Sequence, residues 1–441
     1  LFISFGESVH QIKRSAASIG IDVASIEFLD LSPTSEFFSK LKSYDIFSAD
    51  AVEREPITRT ITETLNQYQP GRVFVDSMTQ LHYLAKDPYD FRRYISSFLR
   101  YLMERDITIL FASEETDVVS DDDLLFISDG FIQLRLEASY RTVQIMKFRG
   151  SGFIQDRHTM RLTEDGMVVF PKLIVSPTCQ QEFEVQTISS GLSDLDEMLK
   201  GGLERGTVTL FSGPTGIGKT TLGLQFMKEA ARRGERSVVY TFEEGEMMIK
   251  ERCHALNIPI QDMLDTGMLS IVQIEPLNLT ADEFAHMIRR EVEDEDTRIV
   301  MIDSISGYKL SVLQGKDLIK QLHIQTQYLR TMGVTVILVN EIHRLADSFR
   351  ATELEVSYLM DTIIYFRYVE YKGGLRRAIG VLKKRVSDFE KSMRELEFTE
   401  YGIRISKPLI GLHGMLSGNP KWSEPVDKSY QSEKEEETGK A

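Results

Sequence analysis

The run Gly213-Pro214-Thr215-Gly216-Ile217-Gly218-Lys219-Thr220-Thr221 carries the strongest chemical signal in the chain. Its spacing fits G-x-x-x-x-G-K-[ST], a phosphate-binding loop. Glycines let successive backbone N–H groups turn inward onto phosphate oxygens. A helix N-terminus following the loop adds unpaired donors and the positive end of a dipole. Lys219 is placed to reach the β- and γ-phosphates of ATP, and Thr220 to ligate Mg2+. Asp303 closes the apolar run Ile299–Ile302, where an acid can hold the Mg2+ through water. Glu243 and Glu244 follow another apolar run, Ser237–Phe242. A carboxylate there can orient or deprotonate the attacking water or hydroxyl.

These groups need strand tips and a helix start to hold them. Val208–Ser212 reads as a strand before the loop, with a helix from Lys219 whose apolar face is Leu222, Leu224, Phe226 and Ala230. Ser237–Phe242, Ile299–Ile302 and Thr335–Val339 read as further strands, with Glu246–Leu256 and Leu318–Met332 as helices. Near-continuous apolar strands alternating with helices predict a mostly parallel sheet covered on both faces. Thr362–Tyr371, Ala378–Lys384 and Arg394–Thr399, separated by Gly-Gly and charged turns, predict an antiparallel extension.

The pattern occurs twice. Phe5–Ile21, Arg72–Leu84, Leu102–Ala112, Asp129 and Met146–Arg149 resemble Phe242–Ile258, Arg298–Leu310, Leu329–Val339, Asp361 and Leu382–Arg385, in the same order. The offset stays near about 230 residues, which marks a tandem duplication. The boundary falls in Pro171–Glu184, so the expected domains are 1–175 and 176–416, with a polar, disordered tail over 417–441. In the first copy Asp76 matches Asp303, and Gly6-Glu7 replaces the paired glutamates. A counterpart of the phosphate loop would fall upstream of Leu1. The run Leu1–Phe5 reads as a core strand, and a domain opening on one is expected to lack its beginning.

At 441 residues, 42% hydrophobic and 27% charged, the chain has the composition of a folded multidomain protein. Its net charge of −15 argues against a protein that grips nucleic acid by charge alone. No apolar run reaches membrane-spanning length. Two cysteines, Cys179 and Cys253, make no disulfide framework and point to a reducing, cytoplasmic setting. His323 and His343 are isolated, so no zinc site is expected. Asp121-Asp122-Asp123 reads as a solvated loop, and Arg289-Arg290 and Arg376-Arg377 as surface pairs.

The segment Ile188–Gly206, with Gly191, Leu195, Asp196, Leu199, Gly201, Gly202, Leu203 and Gly206, resembles the lead-in of KaiC-type members of the RecA ATPase superfamily. The doubled glutamate and the tandem arrangement are similar to that family too, over residues 1–416. The resemblance implies tandem RecA-like α/β domains with ATPase and Ser/Thr autokinase activity, in a signalling or circadian-clock module. It implies a homo-oligomer, a hexamer, binding ATP at subunit interfaces, with signalling proteins as further partners. Lys383 and Arg385 match the family's K-x-R pair, which reaches a neighbour's γ-phosphate; Lys147 and Arg149 match it in the first copy. Strand alternation turns such a pair to one face. Thr352–Tyr358 aligns with the family's autophosphorylated segment, leaving Ser357 as the acceptor candidate and Tyr358 in place of the second acceptor. The competing reading is a RecA- or RadA-type DNA-dependent ATPase. It shares the loop, Asp303 and the fold, but the chain has no basic, aromatic-interleaved segment for single strands. Nucleic acid and membrane are therefore not expected partners.

Overall fold

The computed structural model describes residues 1–37, 54–83, 85, 87–114, 122–137, 139–173, 186–275, 279–311, 318–342, 356–371, 373–409, 412–413 and 421–422. The chain divides into two compact units, Leu1–Val169 and Phe170–Ala441. Cys179, His343, Thr352, Asp121 and most of the boundary and tail segments lie outside the described residues.

The first unit contains β1 (Phe2–Ser4), β2 (Phe28–Asp30), β3 (Arg72–Asp76) and β4 (Thr108–Phe111) in a parallel sheet ordered β2-β1-β3-β4. A second sheet holds β5 (Gly130–Leu136), β6 (Arg141–Phe148), β7 (His158–Thr163) and β8 (Gly166–Phe170) in that order. Ile3, Val73, Val75, Ile95 and Leu102 are among the buried residues of its core. Helix Val9–Ser18 begins on a capping box, in which Ser8 accepts from the Gln11 N–H.

In the second unit β9 (Thr187–Ile188) and β10 (Leu203–Glu204) form a short antiparallel ladder. The main sheet comprises β11 (Val208–Gly213), β12 (Ser237–Thr241), β13 (Leu269–Gln273), β14 (Ile299–Asp303), β15 (Thr335–Glu341), β16 (Thr362–Tyr371), β17 (Gly374–Lys384), β18 (Arg394–Thr399) and β19 (Gly402–Pro408). Their order is β13-β12-β14-β15-β11-β16-β17-β18-β19, parallel through β16 and antiparallel beyond. This is the expected mostly parallel sheet with an antiparallel extension.

The parallel strands are mostly apolar because their side chains enter one of two cores. Phe211, Val239, Met301, Ile337 and Val339 pack on one face, with Leu222, Phe226 and Ile249 from helices Lys219–Arg232 and Glu246–Ala255. Leu210, Tyr240, Ile302, Val336 and Leu338 pack on the other, with Phe284, Tyr308 and Leu322 from helices Ala281–Glu293, Ile305–Ser311 and Leu318–Thr331. Tyr240 meets Phe284 edge-on, with ring centroids 5.0 Å apart.

The order β2-β1-β3-β4 repeats β13-β12-β14-β15, and β5 to β8 repeats β16 to β19. In the second unit β11 bonds to both β15 and β16 and fuses the halves. Among the described residues of the first unit no strand does so. Leu110 on β4 and Ile132, Leu134 and Leu136 on β5 are each about 60–75% exposed.

In the stretch expected to be a disordered tail, β21 (Lys421–Trp422) pairs antiparallel with β20 (Leu412–His413). Trp422 lies opposite Leu412.

Candidate functional site

The C-terminal tips of β11, β12, β14 and β15 converge where the phosphate loop turns into helix Lys219–Arg232. A cavity of about 340 Å³ opens there. Thr215, Gly216, Gly218, Lys219, Thr220, Thr221, Glu243, Glu244 and Asp303 line it, so the structure brings most of the sequence-derived candidates together. Gly213, Pro214 and Ile217 shape the loop from behind. A Cβ on Gly213 would lie 2.7 Å from the Phe366 carbonyl oxygen, and the Ile217 side chain is fully buried. Gly218 has φ +109°, and a Cβ there would meet the Phe398 ring at 2.0 Å. Only glycine meets both demands.

The lead-in is a latch for this loop. Asp196 accepts from Ser189 Oγ at 2.6 Å and from Ser190 N and Oγ at 2.8 Å each. Ser190 O then accepts from Gln225 on the loop helix at 3.0 Å. Glu204 reaches 2.9 Å from Lys384, with both side chains buried, and accepts from Ser387.

Lys219 is buried and folded back on its own loop, donating to Gly213 O at 3.0 Å and Pro214 O at 2.8 Å. Burial lowers its pKa, and the nearby carboxylates of Glu341, Asp303 and Glu243 oppose that shift. Thr220 donates its hydroxyl to Asp303 Oδ2 at 2.5 Å. Burial pushes the Asp303 carboxyl up to about 6, with Thr220 pulling the other way. The Thr220 hydroxyl and the Asp303 carboxylate are oxygen donors that would hold a Mg2+, the carboxylate through water, and such a small donor set fits that ion.

The paired glutamates separate in role. Arg252 grips Glu244 through two hydrogen bonds, at 2.8 and 2.6 Å. Glu243 is exposed and accepts from Ser304 Oγ at 3.0 Å. Its carboxylate stands at the cavity beside Asp303, because β12 pairs with β14 through Thr241 and Asp303.

Several lining residues escaped the sequence reading: Thr241, Arg252, Glu341, Arg377 and Phe398. Arg377 is a correction. Read as a surface cation, it lies 5.3 Å over the Phe398 ring at the cavity wall, while Arg376 pairs with Glu395 at 2.9 Å. The two arginines part because successive strand residues face opposite sides. No local pattern distinguished Arg377 from Arg376 in the sequence.

Lys383 and Arg385 do not line the cavity. Lys383 Nζ donates to Ser357 O at 2.9 Å, and Arg385 Nη2 to Tyr358 O at 2.8 Å. Ser357 lies in a 3-10 turn, Val356–Leu359. Lys384, between the two cations, turns inward to Glu204. The first unit repeats this wiring: Lys147 donates to Leu125 O at 2.7 Å, and Arg149 pairs with Asp129 at 3.0 Å. Asp76 ends β3 as Asp303 ends β14, and burial, then Glu7 and Glu114, raise its pKa. Among the described residues no helix is long and apolar enough to cross a membrane.

Comparison with known proteins places this geometry among relatives. A family model described as "ATPase: KaiC" matches residues 1–174 and 188–409. The chain is similar to the circadian clock oscillator protein KaiC of Acaryochloris marina, with 27% identity covering 95% of this chain and 81% of the relative. It is similar to the KaiC of a Picosynechococcus species, at 28% identity, covering 95% of this chain and 82% of the relative. The KaiC of Parathermosynechococcus lividus is likewise 28% identical, over 95% of this chain and 78% of its own length.

Proposed function

Because the chain belongs to the KaiC family of ATPases, we propose that its second unit binds MgATP at Gly213–Thr221 and hydrolyses it. The observation that carries this reading is the single cavity edge shared by Lys219, Thr220, Asp303 and Glu243. Lys219 exchanges its loop carbonyls for β- and γ-phosphate oxygens. Thr220 and Asp303 hold the metal, which neutralises charge on the phosphates when bound. Glu243 orients or deprotonates the attacking water, with Ser304 fixing one carboxylate oxygen. Arg252 holds Glu244 aside through its two hydrogen bonds. Arg377 and Phe398 supply a cation and an aromatic face suited to stacking a base.

The relatives' printed names give a circadian clock role to those proteins. For this chain the reading extends to a cytoplasmic, oligomeric signalling or timing module, a hexamer, with Lys383 and Arg385 completing a neighbour's site. Ser357 is the acceptor in any autokinase step. The carbonyl contacts of Lys383 and Arg385 support this by holding the Ser357 segment in place.

The experiment pairs phosphate release with light scattering, with and without MgATP. Lys219→Ala is expected to weaken ATP binding about 10- to 10²-fold and to slow turnover with it, because a charge-assisted hydrogen bond contributes about 1.5–3 kcal/mol and the loop offers no second cation. Wild-type turnover in Lys219→Ala would overturn the site. A protein that stays monomeric at every nucleotide level would overturn the role of Lys383 and Arg385 across an interface.

A further inference from the structure

The carboxylate of Glu341 occupies a place that the hydrolysis reading does not use. β15 runs on to Glu341, beyond the Val339 expected from sequence, and pairs with β11 so that Glu341 lies opposite Gly213, the first residue of the loop. Ile342 N donates to Gly213 O at 3.2 Å and holds that register. Alternation sends Asn340 inward, where it is buried and donates to Ser212. Glu341 is thereby turned to the loop and lines the cavity. Its Oε1 accepts from Thr215 Oγ1 at 3.2 Å and lies 3.9 Å from Lys219 Nζ.

Lys219 Nζ thus donates to two loop carbonyls and has the Glu341 carboxylate 3.9 Å away as its nearby counter-charge. An ammonium has three protons to donate. A phosphate bearing on Lys219 must replace these contacts, and it approaches a carboxylate of like charge. We propose that Glu341 is a phosphate placeholder: an internal counter-ion that accepts from Thr215 and faces Lys219, is displaced when the phosphates enter, and thereby sets affinity and release. This rests on the reading of Gly213–Thr221 as the ATP site. Glu341 is a positioning residue that acts through Lys219 and Thr215. Its effect is confined to ligands that carry phosphate.

The test compares wild type with Glu341→Gln and Glu341→Ala in the full chain, by calorimetric titration with MgATP, MgADP and adenosine. Glutamine keeps an acceptor for Thr215 and removes the charge. Loss of a repulsive carboxylate a few ångströms from the phosphates is expected to lower the Kd for MgATP by about tenfold in Glu341→Gln. MgADP tightens less, and adenosine is unchanged. A purely structural role would shift all three ligands together, and that result overturns the proposal. So does a Kd for MgATP that is unchanged or raised while wild type binds normally. MgATP binding to none of the three proteins overturns the ATP-site reading itself, and this inference with it.

Discussion

Arg252 holds Glu244 by two parallel hydrogen bonds, at 2.8 and 2.6 Å, while its neighbour Glu243 is left to Ser304 and the cavity. Adjacent carboxylates of identical chemistry are thus separated by one cation on the following helix. A base needs a lone pair free to face the reacting atoms, and in the proposed mechanism Glu243 is the carboxylate not clamped by a cation.

Glu243→Gln should leave MgATP affinity near wild type and slow phosphate release about 10²-fold or more. Glu244→Gln should slow it far less, about tenfold at most, through a loosened Arg252. The pair is partly solvated, so its loss costs stability under about 1 kcal/mol. Single-turnover phosphate release and ATP titration on both variants check this. Equal slowing in the two would return the base assignment to the pair as a unit.

The Asp303 carboxyl gives a pH signature in nucleotide-free, metal-free protein. Its folded-state value, about 6, lies above its ordinary 3.8 because burial disfavours the anion. Below about 4 both folded and unfolded states are protonated, and the group contributes nothing. As pH rises from about 4 to 6 the unfolded state ionises first, so the folded state loses stability, by about 3 kcal/mol in all. Above 6 the penalty is constant. Asp303→Asn removes this slope, so thermal melts should show the variant gaining on wild type between pH 4 and 6. Parallel melting curves across that range would contradict the buried-anion account.

Lys384 and Glu204 form an ion pair with side chains 0% and 3% exposed. Glu204→Ala strands a buried ammonium and should cost about 3–5 kcal/mol. Replacing both by apolar residues of similar size, Glu204→Leu with Lys384→Met, should recover most of that loss. Thermal unfolding of the single and double variants decides. A double variant as unstable as the single would show that the Leu199 and Gly202 carbonyls bound by Lys384 matter more than the charge pair.

The phosphate loop, Asp303 and the paired glutamates were legible because each is a contiguous signal at the end of an apolar strand. The duplication was legible from order and offset, and the strand order of the two units bears the same arrangement. The wiring of Lys147 and Arg149 echoes that of Lys383 and Arg385, which the matching sequence blocks already paired. What stayed hidden were residues that carry no local motif and whose role depends on a neighbour distant along the chain. Glu341 faces Lys219 because β15 pairs with β11, and Phe398 reaches Gly218 from the antiparallel extension.

The sequence alone determined the chemistry available: a cradle for phosphates, one cation, one hydroxyl, and carboxylates on strand tips, within a twice-repeated α/β pattern. Those features follow from local rules of chain turning and hydrophobic period, which act over a few residues. Tertiary structure alone decided which of equivalent side chains does which task. In Lys383-Lys384-Arg385 alternation was readable, but the face that would be buried was not. That depended on β17 pairing with β16, on the register shift between Ile363 and Ile364, and on Glu204 arriving from about 180 residues away to receive Lys384. The physical reason is that burial, and with it the choice of partner for each charge, is a property of packed surfaces and not of the chain that supplies them.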